Sequence, residues 1–186
     1  YTIMSDKHLL EKTINSTHIF SGKFLQVLND DVLLPDNKPA KREYIKHPGG
    51  VAIFAIDNEN NLILERQYRH PVGEIIVEIP AGKIDPNEDP LICGQRELLE
   101  ETGYTAKTWH KLGVILPSVG YSSENLFIYV ATDLEYSKQH LDDGEFLEVY
   151  KQPLKQFLAD AYSGKIKDGK TLAGVTLLLG YLASRK

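Results

Sequence analysis

The chain has 186 residues, enough for one domain with a sizeable core and too few for two comfortable ones. Hydrophobic residues at 42% and charged residues at 25% exclude a disordered chain, and a net charge of −5 argues against a general nucleic-acid binder, whose affinity needs a basic surplus. Cys93 is the single cysteine, which excludes an intrachain disulfide and disfavours a Cys-based zinc site. Tyr1–Leu10 has no apolar run of signal-peptide length, and no later stretch approaches the roughly 18 apolar residues of a membrane span. A soluble chain in a reducing, cytoplasmic setting is expected, with no nucleic-acid or membrane partner. Tyr1–Met4 reads as a remnant of expression or trimming.

In chain order, residues 14–28 and 40–46 are β-prone, with turns expected at Asn29-Asp30-Asp31 and across Pro35–Pro39. Val51–Ile56 and Leu62–Arg66 read as a hairpin around residues 57–61. A strand is expected at Ile75–Ile79, ending in a turn at Pro80-Ala81-Gly82. From Asp89 to Thr102 the pattern becomes helical: Leu91, Ile92, Leu98 and Leu99 fall on one arc, and Gly103 stands where a left-handed cap belongs. Strands follow at about 111–116, 125–132 and 146–151, then helices at 153–162 and about 169–184. Irregular mixing of strands and helices predicts an α+β fold with a helix on a mixed sheet. Residues 1–48 are expected to form a separate N-terminal β-rich region, ahead of a main domain over 49–186.

The stretch Gly82–Tyr104, GKIDPNEDPLICGQRELLEETGY, carries the chemistry. On a helix Glu97 and Glu101 face the same way, and Glu100 lies about 60° to one side of Glu97. Like charges at this spacing destabilise a bare helix, and they stand near its C-terminal end, where the macrodipole also disfavours anions. The plain alternative is a solvated charged face. A hard divalent cation offsets the repulsion more economically, because Mg²⁺ takes oxygen ligands and clustered Cys or His are missing here.

This stretch resembles the Nudix box, G-x5-E-x7-R-E-U-x-E-E-x-G-U, where U is a bulky aliphatic residue. Gly82, Glu88, Arg96, Glu97, Glu100, Glu101 and Gly103 match in spacing, Leu98 fills the first U, and Tyr104 replaces the last. The resemblance implies an α/β/α sandwich that holds the box as a loop–helix–loop. It implies Glu97 and Glu101 as metal ligands, Glu100 as a ligand or base, Arg96 as the group orienting the carboxylates, and Glu88 as a tie from loop to helix. Mg²⁺ is the implied cofactor, with Mn²⁺ as a substitute.

The likeness extends to the ADP-ribose pyrophosphatase branch and its GDP-mannose relatives through Arg66–Pro71, Glu78–Gly82 and Ile166–Thr171. By that likeness the Ala81 carbonyl and Glu145 join the metal ligands, and Asp143 takes the position of the catalytic base. Arg69 is assigned to a substrate phosphate. Glu78 accepts from a base or ribose, or lies in a dimer contact; Tyr68 and Tyr121 stack on a nucleobase, or pack in the core. Such enzymes are homodimers that exchange N-terminal sheets. The implied reaction is Mg²⁺-dependent hydrolysis of the diphosphate bond of a nucleoside diphosphate sugar, ADP-ribose or similar, to a nucleoside monophosphate and a sugar phosphate.

Two departures leave the sugar open: Val119 replaces the second proline of a P-S-P-G segment, and Val77 replaces an aromatic. GDP-mannose-type or ADP-glucose-type specificity stays an alternative. So does a housecleaning enzyme for oxidised nucleotides or dinucleoside polyphosphates, against which the long N-terminal region argues. A non-catalytic nucleotide-sugar sensor would be expected to lose a box carboxylate, and none is missing.

Overall fold

The computed structural model describes residues 6–184, so the expectation for Tyr1–Met4 lies outside the described residues. Two units are distinguished by their internal contacts: the N-terminal residues up to His47 with Ser118–Glu124, and Pro48–Pro117 with Asn125 onward.

The N-terminal unit is an antiparallel sheet in the order β1 (Lys12–Ser21), β2 (Gln26–Leu33), β3 (Pro39–Lys46). On β2 the side chains of Leu28, Asp30 and Val32 are buried, while β1 is exposed over all ten residues. The turn expected at Asn29-Asp30-Asp31 is absent; these residues are mid-strand, and the reversal lies at 22–25, where the Gly22 amide donates to the Leu25 carbonyl at 2.9 Å. Remote partners hold the acidic pair extended. Ser16 Oγ donates to Asp30 at 2.5 Å, and Lys41 Nζ reaches Asp31 at 2.5 Å. The second expected turn is present, with Asn37 in the left-handed region at φ 65°.

The main unit has a four-stranded sheet ordered β7 (Ala81–Lys83), β4 (Gly50–Ala55), β9 (Leu126–Tyr136), β8 (Tyr104–Ile115). A three-stranded sheet is ordered β10 (Leu147–Pro153), β5 (Asn61–Arg69), β6 (Glu74–Glu78). Only the β4–β9 pair is parallel. All six residues of β4 are buried, because strand alternation sends Ala52 and Phe54 to one side and Val51, Ile53 and Ala55 to the other. The first side packs on α2 (Leu154–Tyr162) and α3 (Gly169–Ser184) through Phe157, Ala161, Val175 and Leu178. The second packs on α1 (Pro90–Thr102) through Cys93 and Leu98. The result is an α/β/α sandwich. No described helix is long and apolar enough to cross a membrane.

The helices and β6 lie where the sequence pattern predicts. The 51–66 hairpin does not extend as expected: the turn forms, but β4 and β5 share one bridge, Ile56 to Leu62, and then enter different sheets. Pro80-Ala81-Gly82 leads directly into a three-residue strand paired with β4 rather than into a loop. The strand expected at 111–116 starts at Tyr104, immediately after α1, because β9 runs on to Tyr136 and pairs with it throughout.

Candidate active site

Helix α1 positions most of the site. Asp89 caps its first turn, accepting from the Leu91 amide at 2.8 Å, and Gly103 ends it at φ 74°. The buried face only overlaps the apolar arc expected: Leu98 is buried and Leu91 packs beside it, but Ile92 is 54% exposed and the face extends over Cys93, Gly94, Glu101 and Thr102. Gly94 sets this rotation. A Cβ there would stand 3.1 Å from Val51 and 3.3 Å from Trp109, so the helix backbone lies close on the sheet. The rotation carries Glu101 inward, and its carboxylate accepts from the Ala81 amide on β7 at 3.0 Å.

Arg96 is the organising cation. Its Nε and Nη2 donate to the two oxygens of Glu88, each at 2.9 Å, and Nη1 donates to Glu97 at 2.8 Å and Glu100 at 3.0 Å. Glu88 also accepts from the Asp85 amide at 3.0 Å, tying the preceding loop to the helix. The Arg96 guanidinium, with that amide, holds the Glu88 carboxyl down at about 2 despite its burial. The Glu97 carboxylate lies directly against the backbone of Gly82, where a Cβ would fall 1.8 Å from Glu97 Cδ. Only glycine leaves that space.

Electrostatically the centre is short of positive charge. Burial raises the Glu101 carboxyl well above its ordinary range, and the charges of Glu65, Glu97 and Glu145 push it further. Glu97 is raised by burial, offset in part by Arg96 and reinforced by Glu100 and Glu145. Burial also raises Glu65, with Glu78 and Glu145 adding to it. Among the described residues, no three His, Cys, Asp or Glu side chains converge where one ion could be held. The bonds just given explain why: Arg96 draws Glu97 and Glu100 to itself, the Ala81 amide holds Glu101, and Gln67 Nε2 reaches Glu145 at 3.4 Å. The donor set nevertheless fits a hard divalent cation. It is all oxygen and mutually repelling, and nearby Glu65 Oε1 is buried without a hydrogen-bond partner among the described residues.

The other expected residues divide in two. Arg69 and Glu78 come together, with Arg69 Nε and Nη2 donating to the two Glu78 oxygens at 2.8 and 2.7 Å. Lys170 of α3 also pairs with Glu78, and with Asp168 at 3.1 Å. The Arg69 fork assigned to phosphate is thus held by Glu78, and Glu78, assigned to base or ribose, is 1% exposed. These groups line a cavity of about 640 Å³ with Ile76, Val72 and Lys167.

Asp143 is exposed on the turn before β10, where the Glu145 amide donates to the Asp142 carbonyl at 3.0 Å. Tyr68 is exposed and edge-on to His70. Tyr121 belongs to the N-terminal unit, where its carbonyl accepts from the Ile45 amide at 2.8 Å. Neither tyrosine is a core residue: they are 56% and 60% exposed.

Sequence reasoning missed Glu65, buried beside these carboxylates, and Lys170, paired with Glu78. Glu65 was discoverable, since strand alternation puts it on the same face of β5 as Ile63, which packs towards α1.

A NUDIX domain model matches residues 46–173. The chain is 41% identical to the ADP-ribose pyrophosphatase of Bacillus subtilis over 174 residues, covering 92% of this chain and 94% of that one. It is also 41% identical to the methanol dehydrogenase activator of Bacillus methanolicus over 170 residues, covering 90% and 92%. Among solved structures, an ADP compounds hydrolase superposes with a TM-score of 0.82 at 21% identity, covering 94% of this chain and 95% of that one. With the domain match spanning the helix, its Arg96 brace and both sheets, the chain belongs to the Nudix family.

Proposed function

We propose that this chain is a pyrophosphohydrolase that splits the diphosphate bond of a nucleoside diphosphate sugar of the ADP-ribose type, releasing a nucleoside monophosphate and a sugar phosphate. The observation that carries the reading is the set of mutually repelling carboxylates on α1, with Glu101 buried, Glu97 and Glu100 braced by Arg96, and Glu97 fitted against Gly82. Identity of 41% to an ADP-ribose pyrophosphatase along nearly the whole chain supports the substrate class.

Mg²⁺ is the cofactor in this reading, held by Glu97, Glu101, Glu145 and the Ala81 carbonyl. When bound, a divalent ion neutralises the diphosphate and makes a water nucleophilic near neutral pH. Glu88 fixes Arg96, and Arg96 keeps Glu97 and Glu100 oriented; Glu100 serves as base or further ligand. Asp143, on its exposed turn, takes a proton from the attacking water once that loop closes over substrate. Arg69 binds a phosphate oxygen by exchanging one of its two Glu78 bonds, and Lys170 keeps Glu78 compensated while it does so. Phosphoryl transfer needs positioning and charge neutralisation above all, and these residues supply both.

The N-terminal region is read as a dimerisation region, with the sheet of β1, β2 and β3 as the face that meets a second copy. Its first strand is exposed throughout, with Ile14, Ile19 and Phe20 more than half exposed, a face suited to a second copy. A cytoplasmic setting accords with the single buried thiol, Cys93.

The test is a panel of ADP-ribose, GDP-mannose and ADP-glucose with Mg²⁺, products identified by mass. The highest kcat/KM is expected for ADP-ribose, with activity abolished by EDTA and restored by Mg²⁺. Equal turnover in EDTA, or no cleavage of any member, would rule the reading out.

A further inference from the structure

Glu65 lies outside the box, yet it is among the most deeply buried charged residues of the main unit, at 2% exposure. It stands mid-strand on β5, paired with Glu78 of β6 on one side and Val149 of β10 on the other. Its Oε1 is buried with no hydrogen-bond partner among the described residues. A buried carboxylate oxygen left bare costs on the order of several kcal/mol, so native structures rarely keep one without an ion, a water or a catalytic use.

The cations nearby do not account for it. Arg69 gives Glu78 a bidentate pair, and Lys170 is shared between Glu78 and Asp168. Glu101, Glu78 and Glu145, the other groups close enough to act on Glu65, are themselves acidic. Strand alternation aims Glu65 to the side of Ile63, the side on which α1 packs, and Glu65 is the largest single charge acting on Glu101. A carboxyl group on the sheet floor thus faces those presented by the helix, and the cations that act on it, Lys170 and Arg69, are hydrogen-bonded to Glu78 instead.

We propose that Glu65 is a further cation-binding carboxylate of this centre, contributed by β5 from beneath the helix and directed at the divalent ion shared with Glu101. The inference rests on the function proposed above, for which Glu65 is not required. In the ion-bound state its bare oxygen gains a partner, and the repulsion with Glu101 becomes shared coordination.

The test is Mn²⁺ binding to the full chain, without substrate, by electron paramagnetic resonance titration and by the Mn²⁺-induced rise in Tm. Wild type is compared with Glu65→Gln and Glu65→Val; valine keeps a strand-favouring residue at the site should glutamine fold poorly. The expected result is at least tenfold weaker binding at one site, or one Mn²⁺ fewer, in both variants, with a smaller Mn²⁺-induced Tm rise. The metal-free Tm should be unchanged or higher, because a buried charge has been removed. A purely structural Glu65 would lower the metal-free Tm on substitution and leave the Mn²⁺ titration as in wild type, which would overturn the proposal. If wild type bound no Mn²⁺, the reading of the whole centre would fall; if it bound normally and both variants matched it, only the role of Glu65 would.

Discussion

Gly82 shows how finely single side chains are fitted at this site. Its missing Cβ is the space occupied by the Glu97 carboxylate, and its backbone conformation is open to other residues, so the constraint is contact rather than torsion. Gly82→Ala should therefore fold, because the displaced atoms are the mobile end of a glutamate. It should stay within about 1 kcal/mol of wild-type stability. Turnover of ADP-ribose with Mg²⁺ should fall roughly 100-fold as Glu97 leaves its place. Full activity in a folded Gly82→Ala protein would show that the position of Glu97 does not matter. Cys93 carries no such role: burial pushes its thiol up to about 12, and it packs in the core between α1 and β4, with its sulfur near the Lys83 carbonyl and Arg96.

At the level of elements, the turn at 57–61 separates the two sheets of the main unit. Asp57 accepts from the Glu59 and Asn61 amides at 3.0 and 2.9 Å, and Lys151 of β10 reaches its other oxygen at 2.8 Å. Burial opposes the charged form of Asp57, but Lys151 and the turn amides outweigh it and lower the pKa below its ordinary 3.8. A lowered native pKa stabilises the fold above the unfolded value, and that contribution is lost as pH falls through the native one. Asp57→Ala should cost about 2 kcal/mol at pH 7, and the gap to wild type should narrow only below pH 3.8. Urea melts at pH 7 and pH 3 check this; a gap that did not change with pH would mean that the charge of Asp57 contributes nothing. The same turn marks where local reading runs out. Asp57–Asn61 is legible because its hydrogen bonds are local, whereas the parting of β4 and β5 depends on β9 and β10, some 70 to 90 residues away. Asn29–Asp31 reads as a turn by composition and becomes strand because Ser16 and Lys41 satisfy it from neighbouring strands. The span of helix α1 was legible, since its glycine cap and its carboxylates lie within one segment, but the face it buries was not, because the close approach of Gly94 to β4 and β8 sets it.

Across the main unit, the sheet is buried on both faces, and helices on the two sides depend on the same strands. Phe54 lies edge-on to Phe157 of α2, and a Cβ on Gly174 of α3 would come within 2.6 Å of its ring. Phe54→Ala should therefore destabilise the fold by about 3–5 kcal/mol, read as a lower urea midpoint with an unchanged slope. A loss under about 1 kcal/mol would mean that this side of the sheet is not a continuous core. Both layers converge on the site: α1 supplies the box, β5 supplies Glu65, and α3 supplies Lys170 to the Arg69–Glu78 pair. The box was readable because its carboxylates fall on consecutive turns of one helix. Strand alternation gave the side that Glu65 faces, but not its neighbours, and the meeting of Arg69 and Glu78 with Asp168 and Lys170 is decided by the packing of distant elements.

Glu101→Gln tests the centre most directly, since it keeps the side chain's size and its acceptor for the Ala81 amide while removing the charge. ADP-ribose turnover at saturating Mg²⁺ should fall by on the order of 100-fold or more, with Tm within a few degrees of wild type or above it. Undiminished turnover would contradict a cation held by Glu101, and so would activity lost only through a collapsed melting transition.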